Sequence, residues 1–264
     1  MTDDPVLLDI DEGVATITLN RPEIRNALAR EVSAGIVDAI EEIEGSDARC
    51  VVLEGSDEAF CAGGNINSMT ERLEGDLSLA DAERLMVQTT GRAISRVAGC
   101  QLPTVAKVDG PAFGAGANLA IACDIPIASD ASRIGFGFRQ VGLAVDSGTS
   151  YLLPRLVGLN TAKELVFTGE LLDADRAADL GLFNRVFPAE EFDERAEELT
   201  EEIATGPTVA LRASKRMLDQ GLGGSLDGAI ADEAAAQTAV FETRDHREGV
   251  AAFEEKRNPE FEGH

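Results

Sequence analysis

The fold is decided by two glycine-rich stretches, Phe60-Cys61-Ala62-Gly63-Gly64-Asn65-Ile66 and Asp109-Gly110-Pro111-Ala112-Phe113-Gly114-Ala115-Gly116-Ala117-Asn118-Leu119. Each follows a strand-like run, Cys50–Leu53 or Thr104–Val108, and each leads into helix-like sequence. Such a turn leaves backbone N–H groups free at a helix N-terminus, where the helix dipole favours negative charge. Two such turns meeting at one point would form an oxyanion hole, and their small residues would let a ligand approach the backbone closely.

The residues alone leave other interpretations of these turns open. Glycine-rich turns after strands also bind phosphates, or only reverse the chain direction. Neither stretch matches the GxxxxGK[ST] pattern or a clean GxGxxG fingerprint, so the sequence gives little support to a nucleotide site.

Around these turns, the first two thirds of the chain alternate between strand-like and helix-like segments. Further strand candidates are Val6–Ile10, Val14–Leu19 and Ile125–Ala128, and the helix candidates are Ala27–Ile43 and Ala80–Val97. Apolar residues recur at helical spacing through the first helix candidate, and Asp11-Glu12-Gly13 separates the first two strands as a hairpin turn. This order predicts an α/β fold with short strands and crossover helices.

The sequence changes character after about Asp173. Apart from a short strand at Asn184–Phe187, the remaining segments are mostly helical candidates: Ala189–Ala204, Pro207–Gly221, Ser225–Thr243 and His246–Lys256. Most of their ends lie at or beside Pro, Gly or Ser. We therefore predict a core over residues 1–200 and a helical C-terminal region over residues 201–264.

The charge balance of the chain excludes some functions. Asp and Glu number 48 against 23 Lys and Arg, a formal net charge of −25. The acids are spread along the whole chain, which favours adaptation to a salt-rich cytoplasm over recruitment of a basic partner. Nucleic-acid binding needs basic surface and is not expected.

No apolar run is long enough to cross a bilayer, and the acidic N-terminus does not resemble a signal peptide. We therefore expect a cytoplasmic protein with no membrane partner.

The cysteines and histidines provide little material for metal or nucleophilic chemistry. The four cysteines, Cys50, Cys61, Cys100 and Cys123, form no CxxC pair, and both histidines lie in the C-terminal region. This pattern predicts buried thiols and no metal site. A Ser–His–Asp or Cys–His mechanism is not expected.

Several motifs, in one order along nearly the whole chain, resemble the crotonase (enoyl-CoA hydratase/isomerase) superfamily. They are Asn20-Arg21-Pro22 with Asn26-Ala27-Leu28, the two glycine-rich stretches, Cys123-Asp124-Ile125, Gly142-Leu143 with Asp146, Leu153-Pro154-Arg155, and Glu255-Lys256-Arg257 with Pro259 and Phe261. The resemblance implies a spiral of ββα units with a helical C-terminal trimerisation region, and a homotrimer or a dimer of trimers. It also implies an acyl-CoA thioester substrate, coenzyme A being part of that substrate rather than a separate cofactor.

The resemblance implies that Gly64 and Ala115 donate the two backbone N–H groups that hold the oxygen of a thioester enolate. Hydratases of the family carry two glutamates, and their positions correspond here to Asn118 and Gln140. Because an amide is not a general base near neutral pH, hydration by two carboxylates is not expected.

One carboxylate, Asp146, stands where isomerase-type members carry a Pro-Asp-x-Gly segment, with Val145 here in place of the proline. A single base is sufficient for a 1,3-proton shift, since the group that removes the proton also returns it. We predict burial of Asp146 among Phe136, Phe138 and Leu143, which would raise its pKa. In the alternative interpretation Asp146 caps a helix that starts near Ser147.

The remaining site predictions concern substrate binding. Arg25 and Lys256 are candidates to contact coenzyme A, or else form surface ion pairs; Asn65 caps the next helix or contacts substrate; and Asn118 bonds the substrate or faces its own helix. Ala27, Ala62, Ile66 and Phe138 complete the predicted substrate-binding set. An enoyl-CoA isomerase is favoured over a hydratase, and a non-catalytic acyl-CoA-binding homologue is a further alternative.

Overall fold

The computed structural model describes residues 4–65, 70, 75 and 77–264. Within these residues the largest sheet has six strands: β1 (Val6–Asp11), β2 (Val14–Leu19), β3 (Cys50–Gly55), β4 (Thr104–Val108), β6 (Ile125–Ser129) and β9 (Arg185–Phe187), adjacent in that order. The first pair is antiparallel and the others are parallel. The hairpin between β1 and β2 turns at Glu12 and Gly13, which both have positive φ angles and so match the right-handed strand twist.

A smaller sheet contains three strands of three residues each: β5 (Pro111–Phe113), β7 (Arg133–Gly135) and β8 (Leu171–Asp173). β5 and β7 are parallel, and β7 and β8 are antiparallel. Two of its strands follow strands of the large sheet after only a few residues. This gives the predicted succession of two strands and a helix, and it brings the turns between strand and helix to one side of the molecule.

Helices occupy most of the remaining chain. In order they are α1 (Arg30–Ile43), α2 (Leu79–Met86), α3 (Arg92–Ala98), α4 (Ala115–Ile121), α5 (Thr149–Val157), α6 (Leu159–Thr168), α7 (Ala174–Asp179), α8 (Phe192–Ala204), α9 (Thr208–Gly221), α10 (Leu226–Val240) and α11 (Arg244–Glu255). A π-helical turn, Val87–Gly91, joins α2 to α3, and 3₁₀ turns lie at Pro22–Ile24 and Phe138–Val141. Within the described residues, no helix has both the length and the apolar character needed to span a membrane.

The large sheet is covered on both faces, as its almost continuously apolar parallel strands predict. On one face, Val51 and Leu53 belong to the main core together with Ile36 and Ile40 of α1. On the other face, Val105 and Ile127 belong to a second cluster with residues of α8. Burial on both sides holds the strand ends, and therefore the turns that follow them, in fixed positions.

Polar contacts connect the C-terminal helices to this core. The Arg49 guanidinium donates to Thr208 Oγ1 at 2.8 Å, to the Gly206 carbonyl at 2.6 Å and to the Phe261 carbonyl at 3.2 Å. Lys215 of α9 lies 2.6 Å from the Asp124 carboxylate.

The predicted boundary after residue 200 falls inside α8, which packs on the sheet. The division into two regions stays a prediction.

Candidate active site

The two glycine turns, residues 61–65 and 110–116, meet at the N-terminus of α4. Gly63 has a φ angle of +89°, and a Cβ atom there would lie 2.4 Å from the Phe113 carbonyl oxygen and 3.3 Å from the Ala115 nitrogen. A side chain at this position would push the turns apart. Glycine at position 63 therefore permits the close approach that the sequence predicts.

Backbone hydrogen bonds fix the two turns to each other. Cys61 N donates to the Pro111 carbonyl at 3.1 Å, and Phe113 N donates to the Cys61 carbonyl at 2.9 Å. Gly116 packs against the same residue, since a Cβ there would lie 2.1 Å from the Cys61 carbonyl oxygen. The relative position of the turns depends on main-chain atoms and on the absence of side chains at two glycines.

Gly64 and Ala115 line one cavity at this junction, as predicted. Ala115 is the first residue of α4, so its N–H has no acceptor within the helix. In the part of the chain that the structure describes, neither the Gly64 N–H nor the Ala115 N–H has a hydrogen-bond acceptor. Ala115 is buried and Gly64 is half-buried. N–H groups without partners are uncommon in such positions, and two beside one cavity indicate a binding site for an oxygen atom.

The cavity has a volume of about 810 Å³, within the range of small-molecule sites. Its apolar lining comes from large side chains of several elements: Leu28, Leu77, Leu85, Met86, Phe113, Phe138, Val141, Leu143 and Val145. A few polar residues accompany them, which suits a ligand with an apolar chain and a small number of polar atoms.

Asp146 lines this same cavity, on the loop of residues 140–148 that we call the Asp146 loop. The predicted burial is wrong, because Asp146 is exposed. Of the three residues expected to bury it, Phe136 and Phe138 are buried but Leu143 is itself 47% exposed. The alternative that Asp146 is a helix N-cap is also wrong, since α5 begins at Thr149 with Gly148 at the N-cap position.

The backbone of Asp146 is held from behind by Asn118 and Thr149. The Asp146 carbonyl accepts from Asn118 Nδ2 at 3.1 Å and from the backbone N of Thr149 at 3.0 Å. Thr149 Oγ1 lies 2.9 Å from both that carbonyl and Asn118 Oδ1. Asn118 is fully buried and is not among the residues that line the cavity, so its amide positions the loop. The sequence analysis missed the role of Thr149.

Gln140 begins the Asp146 loop and lines the cavity. Its Nε2 donates to the Gly169 carbonyl at 3.2 Å, which ties the loop to the end of α6. The two positions that correspond to hydratase glutamates are thus occupied by amides that make hydrogen bonds within the protein.

The other predicted substrate-binding residues divide into two groups. Ala62, Asn65 and Phe138 line the cavity, whereas Arg25, Ala27 and Lys256 do not. Ile66 lies outside the described residues. Arg25 contributes through its backbone, because its carbonyl accepts from Ala62 N at 2.9 Å. Cavity-lining residues that the sequence analysis missed include Arg30, Thr89, Thr90 and Ser147.

Asn26 supports the first glycine turn from below. Its side chain is fully buried, and Nδ2 donates to the carbonyls of Ser56 and Ala59 at 2.8 and 2.7 Å. Its Oδ1 accepts from Arg21 N at 2.8 Å. The Asn26 carboxamide thereby connects the loop after β2 to the loop after β3. The sequence analysis included Asn26 in a family motif but assigned it no role.

All four cysteines are free and buried, in line with the prediction of packed thiols. Burial raises the pKa of Cys61, which lies in the first glycine turn, to about 12. A thiol with this pKa stays protonated near neutral pH and is a poor nucleophile. Among the residues described, no group of His, Cys, Asp and Glu is arranged to hold a metal ion.

Comparisons with known proteins agree with this geometry. A family model described as enoyl-CoA hydratase/isomerase matches residues 9–264. The chain is 36% identical to a Rhodobacter capsulatus protein named "Probable enoyl-CoA hydratase", over 97% of this chain and 96% of that protein. It is 34% identical to the 1,2-epoxyphenylacetyl-CoA isomerase of Escherichia coli, over 98% of each chain. A crystal structure of an enoyl-CoA hydratase/isomerase from Cupriavidus metallidurans matches with a TM-score of 0.91 and 33% identity, covering 100% of this chain and 98% of that one.

The fold and the cavity thus define a crotonase-fold protein, which confirms the predicted fold class. The chain belongs to the enoyl-CoA hydratase/isomerase family. This family acts on acyl-CoA thioesters.

Proposed function

We propose that the protein is an enoyl-CoA isomerase in which Asp146 moves one proton along the acyl chain. The observation that carries the proposal is that Asp146, Gly64 and Ala115 all line one cavity. The cavity therefore offers a base together with two donors for the oxygen of an enolate.

The proposed reaction is a 1,3-shift of a proton and a double bond. The Asp146 carboxylate removes a proton from the α-carbon of a 3-enoyl-CoA, and the C–H electron pair forms an enolate on the thioester. The N–H groups of Gly64 and Ala115 stabilise the enolate oxygen, each by roughly 3 kcal/mol. Protonated Asp146 then returns the proton at the γ-carbon, which gives the conjugated 2-enoyl-CoA and restores the carboxylate.

The number of carboxylates that line the cavity supports isomerisation over hydration. Among the described lining residues, Asp146 is the only carboxylate. Hydration by the family's two-glutamate arrangement would need acids at positions 118 and 140. Asn118 lies behind the cavity wall, and the Gln140 amide is bonded to Gly169.

An enoyl-CoA hydratase is the second candidate function. It is favoured by the names of relatives, several of which are called enoyl-CoA hydratases. In a hydratase of this sequence, Asp146 would have to activate water without a second carboxylate at either family position.

The Asp146→Asn variant tests the proposed role of Asp146, and the choice of substrate separates the two functions. With a 3-enoyl-CoA as substrate, we expect isomerisation to fall by about 10²–10⁴-fold, because the amide cannot transfer the proton. Affinity for the substrate should be retained, since the two N–H donors are unchanged. Asp47→Asn is a matched control, because Asp47 is exposed, lies outside the cavity and changes the net charge equally.

A parallel assay with crotonyl-CoA measures hydration. Hydration by the unmodified protein that is faster than isomerisation would overturn the isomerase proposal in favour of the hydratase, whether or not it survives Asp146→Asn. Binding of both thioesters without turnover or α-carbon deuterium exchange would instead support a non-catalytic homologue.

We also propose that α9 and α10 form the interface of a homotrimer, or of a dimer of trimers. Leu218, Leu222, Leu226 and Ile230 are 74%, 76%, 76% and 53% exposed in the single chain. Burial of these side chains against other copies would remove apolar surface from water. Light scattering in a high-salt buffer that suits the acidic surface is expected to give three or six times 27.9 kDa.

A cytoplasmic location and contacts of Arg25 and Lys256 with coenzyme A remain part of the proposal.

A further inference from the structure

The helix that forms one wall of the cavity contains a π-helical turn. α2 and α3 are continuous through Val87–Gly91, so helical structure extends from Leu79 to Ala98. Gly91 permits the wider turn, because a Cβ there would lie 3.1 Å from the Met86 carbonyl oxygen. π turns inside α-helices are rare and occur frequently at functional sites.

The π turn keeps one face of this helix directed inward over its whole length. Leu85, Met86, Thr89 and Thr90 line the cavity, and Ala93, Ile94 and Val97 are buried in the core. This inward face repeats every four residues, and on a regular α-helix such a repeat drifts by about 40° per turn. The π turn contains more residues than an α-helical turn, so it compensates for this rotation and directs Thr89 and Thr90 toward the cavity.

The two threonine hydroxyls have different surroundings. Thr89 Oγ1 donates to the Leu85 carbonyl of its own helix at 2.6 Å. Within the part of the chain that the structure describes, the Thr90 hydroxyl has no hydrogen-bond partner, although the residue is half-buried and lines a mostly apolar cavity. A hydroxyl that faces a mostly apolar cavity without a partner in the protein is available to donate to, or accept from, a polar atom of a ligand.

We propose that Thr90 is a specificity-determining residue that hydrogen-bonds an oxygen atom on the acyl chain of the substrate. The preferred acyl group would then carry a hydroxyl or carbonyl oxygen beyond the thioester. This inference rests on the proposed function and narrows its substrate class. A site that hydrogen-bonds a substrate oxygen discriminates against the analogue that lacks it, because the site's own polar group is then left without a partner.

The test measures binding and does not depend on turnover. Hexanoyl-CoA is compared with the hydroxyhexanoyl-CoA thioesters that carry the hydroxyl at C3, C4, C5 or C6, using titration calorimetry at fixed salt. We expect one member of the series to bind the unmodified protein about tenfold more tightly than hexanoyl-CoA. Thr90→Val should remove this preference while leaving the affinity for hexanoyl-CoA within about twofold. Thr90→Ser should keep the preference.

Thr89→Val is the matched control, because it makes the same isosteric change one residue away at a hydroxyl already bonded to Leu85. It should keep the preference for the hydroxylated ligand. Equal binding of all five thioesters by the unmodified protein would overturn the inference, as would equal loss of the preference in both valine variants. Failure of the proposed function is separately visible: preferential binding without α-carbon deuterium exchange rejects the isomerase and leaves the Thr90 assignment standing.

Discussion

The two glycine turns and the Asp146 loop line the same cavity but are held in different ways. Main-chain hydrogen bonds and the small size of Gly63 and Gly116 fix the turns within the core. The Asp146 loop is largely exposed and is attached by a few side-chain bonds, at Gln140 and at Thr149 with Asn118. The half of the site that the glycine turns line is therefore part of the fold, whereas the half that the Asp146 loop lines can change without disturbing the fold.

Among changes to how these two regions are held, breaking the glycine turns is expected to have the largest effect. In Gly63→Ala, the new methyl group would lie 2.4 Å from the Phe113 carbonyl oxygen, so the turns must separate. We expect α-carbon deuterium exchange to fall by about 10²–10³-fold, the effect of losing an oxyanion donor. Circular dichroism is expected to show a folded protein.

Gly181→Ala is the control for this prediction. Gly181 has a similar φ angle of +78°, but nothing lies within 4 Å of the position that a Cβ would take. Near-normal exchange in Gly63→Ala would show that the turns tolerate separation, and would remove the distinction between the two halves of the site.

A smaller effect is expected from loosening the Asp146 loop. Thr149→Val removes the hydroxyl beside the Asp146 carbonyl and Asn118 Oδ1 without changing the size of the side chain. We expect kcat for isomerisation to fall about fivefold with KM nearly unchanged, because a net hydrogen bond contributes about 1 kcal/mol. Thr149→Ser should restore kcat. A change confined to the free energy of unfolding would show that Thr149 does not position Asp146.

The smallest effect is expected from thiol reagents directed at the first glycine turn. Because the pKa of Cys61 is raised to about 12, its reactive thiolate is nearly absent below pH 9, and burial blocks access. Iodoacetamide at pH 8 should change the turnover rate by less than twofold, and mass spectrometry should find Cys61 modified only after denaturation. Rapid modification of Cys61 in the folded protein would mean that the first turn opens as readily as the Asp146 loop.

The sequence was sufficient to identify the glycine turns of the site. Strand, glycine turn and helix follow one another in the chain, so local patterns predicted two turns with free N–H groups, and the family resemblance assigned the donors to Gly64 and Ala115. Apolar spacing and helix-breaking residues also predicted the long helices. The first residue of a helix was harder to predict. The helix α1 begins at Arg30 rather than Ala27, because Leu28 N donates to the Gly63 carbonyl.

Features that depend on distant contacts escaped the sequence analysis. The three-residue strands β5, β7 and β8 are too short to show alternation. The exposure of Asp146 depends on the path of its loop, and the role of Thr149 depends on a contact with Asn118 across 31 residues. The π turn, and with it Thr90, gives no signal in a sequence whose apolar spacing resembles that of an ordinary helix.

Arg49 has a consequence for the order of folding. Its bonds to Gly206, Thr208 and Phe261 join positions 157, 159 and 212 residues apart. Closing such long loops costs entropy, so we expect these bonds to form after the parallel sheet has assembled. Interactions that form late act mainly on the unfolding rate. We therefore expect Arg49 to affect how long the C-terminal helices stay attached to the core more than how fast the core assembles.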